Sequence, residues 1–145
     1  MTSGIIVVAI YLPDRSTRYK LPLCLVHISA GFPSPAEDYI EGRLDLNRHL
    51  IKHPAATFFV RVTGDSMIEA GIHPADLLIV DRALDATSGR VIIAVINGEL
   101  TVKRLHRARG KIYLVPANQN YPPIEITEAM EFQVWGVVTA VIHTL

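Results

Sequence analysis

The sequence predicts a mainly β fold: a compact β domain, either a sandwich or a partly closed barrel, carrying an extended N-terminal arm and one or two short helices. Three observations predict it. From Thr57 onward, short runs rich in β-branched residues follow one another at close spacing. Asn97-Gly98 sits between two such runs, and it is the preferred two-residue hairpin loop. No convincing amphipathic helical period separates the runs.

Taken in order, the first apolar stretch is Ile5 to Leu12, ended by Pro13. It is far too short for a bilayer span, which needs about 20 residues, and it lacks the basic leader of a secretory signal. It reads as a strand of a soluble protein. Residues 13–33 look like an extended arm, because prolines and polar residues interrupt any period before a loose apolar alternation over 21–28. Ser34-Pro35-Ala36-Glu37 has the form of a capping box with proline at the first helical position. A short helix is therefore predicted through Tyr39-Ile40-Glu41 as far as Gly42. Asp45 is a candidate N-cap for a second helix over 46–52, stopped by Pro54. His49 and His53 have the helical spacing of two metal ligands, but Pro54 follows and no acidic or cysteine partner is near in sequence. They are read as surface histidines. Strands are predicted at 57–62, 76–81, 90–96, 99–105, 111–117 and 132–143.

Composition narrows the function. The chain has 145 residues, about one domain. Its 14 Lys plus Arg balance 14 Asp plus Glu, so the electrostatic footprint of a nucleic-acid binder is missing. The single cysteine, Cys24, excludes an internal disulfide framework and suits a reducing, cytoplasmic setting.

The chemistry centres on Gly64-Asp65-Ser66-Met67, a turn between two predicted strands. Gly, Asp and Ser are turn formers in their own right, so the serine needs a base before it means anything. The Asn97-Gly98 loop sets a register in which Ile96 faces Glu99, Ile92 faces Lys103 and Val91 faces Arg104. One hairpin face then carries Val91, Ile93, Val95, Leu100, Val102 and Arg104, and is expected to be the better core. The other carries Ile92, Ala94, Ile96, Glu99, Thr101, Lys103 and Leu105, so Lys103 lies among Ile92, Ala94 and Leu105. A cover over that face would strip water from the ammonium and lower its pKa. This matters because an ordinary lysine is neutral only about one time in a few thousand at pH 7. Arg104 cannot substitute, since guanidinium keeps its proton. None of the six histidines forms a recognisable Ser-His-Asp pattern with Ser66. A serine–lysine dyad is the simpler chemistry, with backbone N–H groups of the turn as oxyanion donors.

These motifs, Gly64 to Met67, Asp76 to Asp81, and Asn97-Gly98-Glu99 ahead of Val102-Lys103, resemble the self-cleaving serine–lysine peptidases of the LexA and UmuD group. Ala30-Gly31-Phe32-Pro33-Ser34-Pro35 and Leu44-Asp45-Leu46-Asn47 resemble the mutagenesis branch of that group in particular. The resemblance covers roughly residues 30–145. It implies a β-rich catalytic domain over 34–145 that cuts its own arm, residues 1–33, at Ala30-Gly31. Ser66 is the implied nucleophile, Lys103 the general base, and Asp65 and Met67 the turn residues at the oxyanion. Many relatives carry Cys where this chain has Ala30; both are small, as close approach to a nucleophile requires. No cofactor or metal is implied. The implied partners are a second copy in a homodimer, a RecA filament on single-stranded DNA that stimulates cleavage, and a UmuC-type lesion-bypass polymerase. Neither sequence-specific DNA binding nor a membrane is expected. Three other readings compete: a LexA-like repressor, a signal peptidase and a non-enzymatic module. The repressor needs a helix-turn-helix before the cut, which the Pro-broken arm does not supply.

Overall fold

The computed structural model describes residues 4–16, 20–24 and 40–145, with the backbone alone at residues 20, 22–24 and 40–42. Ala30, Gly31 and the capping box at 34–37 lie outside the described residues. Two compact units result, one of residues 1–13 with 53–145 and one of residues 14–52.

The larger unit is a curled sheet of eight antiparallel strands. They are β1 (Ile5–Tyr11), β4 (Thr57–Gly64), β5 (Leu77–Asp81), β6 (Val91–Ile96), β7 (Glu99–Ala108), β8 (Lys111–Val115), β9 (Ile124–Ile126) and β10 (Phe132–Ile142). Their order across the sheet is β1-β4-β5-β10-β6-β7-β8-β9. Every strand predicted from Thr57 onward is present within a few residues. β9 was not predicted, since three residues after Pro122-Pro123 are too short to show a period. β1 was predicted as a strand, and the structure shows its partner. It pairs with β4 from Ile5 opposite Gly64 to Tyr11 opposite Phe59, and Ile5 is fully buried.

The hairpin of β6 and β7 has the register that Asn97-Gly98 predicts: Ile96 faces Glu99, Ile92 faces Lys103 and Val91 faces Arg104. Both loop residues have positive φ, as a type I′ turn demands. One expectation fails here. The face carrying Ile93 and Val102 is core, joining Ile5, Val60, Val62 and Met67, but the opposite face is core as well. Ile92, Ala94 and Leu105 pack there with Leu114 and Val137. The cause is position in the sheet: β6 and β7 are interior strands, and Leu84 and Ala86 from the β5–β6 connection close over the second face. Lys103, on this second face, is therefore buried.

The smaller unit pairs β2 (Lys20–Cys24) with β3 (Ile40–Asp45), followed by helix α1 (Leu46–Leu50). Asp45 caps α1 as predicted, its carboxylate accepting the Asn47 N–H at 3.0 Å. The helix expected to run through Ile40-Glu41 to Gly42 is contradicted: those residues are strand. A capping box is a local preference of about 1 kcal/mol. Ile40 and Gly42 are indifferent or poor helix formers, and the ladder to β2 satisfies backbone groups that a helix turn would leave to its own end. Among the described residues, no helix is long and apolar enough to cross a membrane.

Candidate active site

β4 ends at Gly64, and the chain turns through Asp65-Ser66-Met67 into a single 3-10 turn at Ile68–Ala70. Gly64 has φ of +93°, and a Cβ there would lie 1.6 Å from the Gly4 carbonyl oxygen. Only glycine suits this left-handed position beside another backbone. The close approach is used at once: the Asp65 N–H donates to Gly4 O at 2.9 Å. The opposite side of the turn is held by the loop after β8. Tyr121 donates its hydroxyl to the Asp65 carboxylate at 2.6 Å, and Asn118 Nδ2 donates to the Asp65 carbonyl at 2.9 Å. That hydrogen bond to Asp65 raises the pKa of the Tyr121 hydroxyl, which keeps it a donor. Met67 is fully buried in the core and its sulfur accepts the Ala117 N–H at 3.3 Å. The turn is thus clamped from β1, from residues 117–121 and from below.

Gly64→Ala is expected to destabilise the fold by at least about 2 kcal/mol in urea unfolding. The left-handed backbone alone costs a non-glycine residue about 1–2 kcal/mol, and β1 must also shift to clear the new methyl group.

Ser66 and Lys103, expected as partners, are brought together. Both are buried, and Lys103 Nζ lies 3.1 Å from Ser66 Oγ. The amine also donates to Thr101 Oγ1 at 2.9 Å and to the Val102 carbonyl at 3.0 Å. Burial pushes the lysine down from its ordinary value to about 8. A neutral amine has two N–H groups and one lone pair. In that form the amine can donate to Thr101 Oγ1 and Val102 O and turn its lone pair toward the Ser66 hydroxyl. This arrangement can accept the serine proton as the oxygen attacks a carbonyl, and can return it to a leaving amine.

The turn's oxyanion capacity is narrower than the sequence suggests. The Asp65 amide is spent on Gly4 O, which makes Asp65 a clamp residue. Among the described residues nothing accepts from the N–H groups of Ser66 or Met67, so these two are the donors the turn has left to offer. Gly4, Thr101, Asn118 and Tyr121 were missed by sequence reasoning. Thr101 was recoverable, since it lies two residues from Lys103 on the same strand face. The others were not, because Tyr121 is 56 positions from Asp65 and no period connects them. Among the described histidines, His53 contacts Asp81, His73 and His143 contact Asp76, and the His106 ring lies beside Tyr113.

A family model described as Peptidase S24-like matches residues 22–139, a span that contains both Ser66 and Lys103. The chain belongs to that family. Within it, the chain is 51% identical to Protein SamA of Salmonella typhimurium over 131 residues, covering 90% of this chain and 89% of that one. It is 46% identical to Protein ImpA of Escherichia coli over 131 residues, with the same two coverages. A LexA repressor of Clostridium perfringens is 41% identical over 101 residues, which is 70% of this chain and 50% of that protein. The Peptidase S24-like assignment, made from the whole match, agrees with the LexA and UmuD group that the motifs resemble.

Proposed function

We propose that this chain is a self-processing serine endopeptidase of the SOS response, which cuts its own Ala30-Gly31 bond with Ser66 as nucleophile and Lys103 as general base. The observation that carries this reading is the buried 3.1 Å contact between Lys103 Nζ and Ser66 Oγ, with the lysine held near pKa 8. A RecA filament on single-stranded DNA stimulates the cut, in the cytoplasm. The trimmed product, residues 31–145, dimerises and serves as accessory subunit of a UmuC-type error-prone polymerase in translesion synthesis. Residues 1–33 hold the processed arm, although β1 at its start belongs to the peptidase sheet, and residues 34–145 supply the rest of the peptidase domain. Small residues on both sides of the bond allow the backbone to reach the turn. An intramolecular substrate has a high effective concentration, so gating of the arm or of the lysine proton must hold the reaction back until the stimulus arrives.

Incubation at pH about 10, where a lysine of pKa about 8 is almost wholly neutral, is expected to release a fragment beginning at Gly31, identified by mass spectrometry. Ser66→Ala should release none, and continued cleavage in that variant would refute the assignment. The repressor alternative parts from this reading at DNA: operator-specific binding by the full chain would overturn the polymerase role while leaving the peptidase chemistry intact.

A further inference from the structure

We infer that His73, Asp76 and His143 form a binding site for one divalent transition-metal ion of the zinc class, separate from the Ser66–Lys103 pair. The three residues come from two distant parts of the chain. His73 and Asp76 lie in the turn leading into β5, and His143 directly follows β10, the strand paired with β5. One ligand atom from each lies within 4.8 Å of the others. His143 Nδ1 is 2.6 Å from Asp76 Oδ1, His73 Nδ1 is 3.6 Å from Asp76 Oδ2, and the two imidazole rings lie side by side with centroids 4.5 Å apart. A metal with nitrogen and oxygen ligands at about 2.0–2.2 Å needs donor atoms separated on this scale.

The donor set is the right chemistry. Two imidazoles and one carboxylate select zinc and its neighbours over magnesium or calcium, which prefer oxygen. Three protein ligands leave a fourth position, and both histidines are 42% exposed, so that position opens to solvent. The carboxylate is anchored: Asp76 is 2% exposed and takes the His73 N–H at 2.7 Å. The turn is also fixed in advance, with Ala75 N–H on Val62 O at 2.9 Å and Arg61 Nη1 on Ala75 O at 2.9 Å. One atom points to a missing partner. His73 Nδ1 is shielded from water, is aimed toward Asp76, and has no hydrogen bond among the described residues. A buried ring nitrogen in that state is costly unless something ligates it.

Calorimetric titration of the full-length chain with zinc chloride at neutral pH tests this. One equivalent should bind. His73→Ala and His143→Ala should each weaken binding by about tenfold or more. Both side chains are partly exposed, so the variants should keep the parent's thermal unfolding without metal. Magnesium should give no binding heat. Cobalt in place of zinc should give visible absorption of a four-coordinate ion, lost in either variant. No zinc binding, or binding of unchanged strength in the His73→Ala, His143→Ala double variant, overturns the site.

Discussion

Lys103→Met is expected to abolish release of the Gly31 fragment while leaving the fold intact. Methionine fills nearly the same volume among Ile92, Ala94 and Leu105 but has no proton to exchange. Losing a general base costs about 10²–10⁴ in rate, and among the described residues the Ser66 hydroxyl contacts no other base. Lys103→Arg should be equally inactive, because the guanidinium stays protonated. The wild-type pH profile carries the same information. With a lysine of pKa about 8, the neutral fraction is about one in ten at pH 7. The cleavage rate should therefore rise close to tenfold per unit below that pKa and level off above it. Stability follows with a defined sign. The folded pKa is depressed below the ordinary lysine value of 10.5, so between about pH 8 and 10.5 the unfolded chain binds the extra proton and folding is favoured as pH rises. Below that window both states hold the proton, and the folded state bears the cost of a buried ammonium. Urea titrations across the window should show the wild type gaining stability relative to Lys103→Met. A flat difference, or cleavage by Lys103→Met, would remove the lysine from the chemistry.

The elements legible in the sequence are those whose information is local. Asn97-Gly98 fixes a two-residue loop and so the whole register to Val91 opposite Arg104, which is why the sequence alone puts Lys103 on a face with Ile92. Burial of both faces was not legible, because it depends on which strands flank β6 and β7, and β10 arrives from far along the chain. The same limit explains the helix expected at Ile40 to Gly42. Its capping signal was genuine as a local preference, but the partner strand β2 lies some twenty positions upstream, and its pairing decides. At the site, Ser66 and Lys103 were visible as chemistry, whereas the clamp on the turn is purely tertiary. Gly4, Asn118 and Tyr121 meet Asp65 only after β1 and the β8–β9 connection have folded around it.

Cutting at Ala30-Gly31 is expected to leave the released N-terminal fragment attached. β1 lies wholly upstream of that bond, yet it is an edge strand of the peptidase sheet, paired with β4 along its length. Cleavage breaks none of those pairs. Ile5 is fully buried, a contribution of about 1.5–3 kcal/mol for one such side chain, and Gly4 O still holds the Asp65 amide. The fragment of residues 1–30 should therefore co-elute with residues 31–145 in native size-exclusion chromatography and separate in denaturant. Ile5→Asp, which places a charge in the core, should free it without denaturant. Elution as free peptide from the wild type would show that β1 pairing is too weak to outlast the covalent link. Retention has a chemical consequence, because departure of β1 removes the Gly4 support from the Ser66 turn and bares the β4 edge as a template for another strand. Loss of the strand would then disassemble the catalytic turn in the same event that opens a surface for a partner.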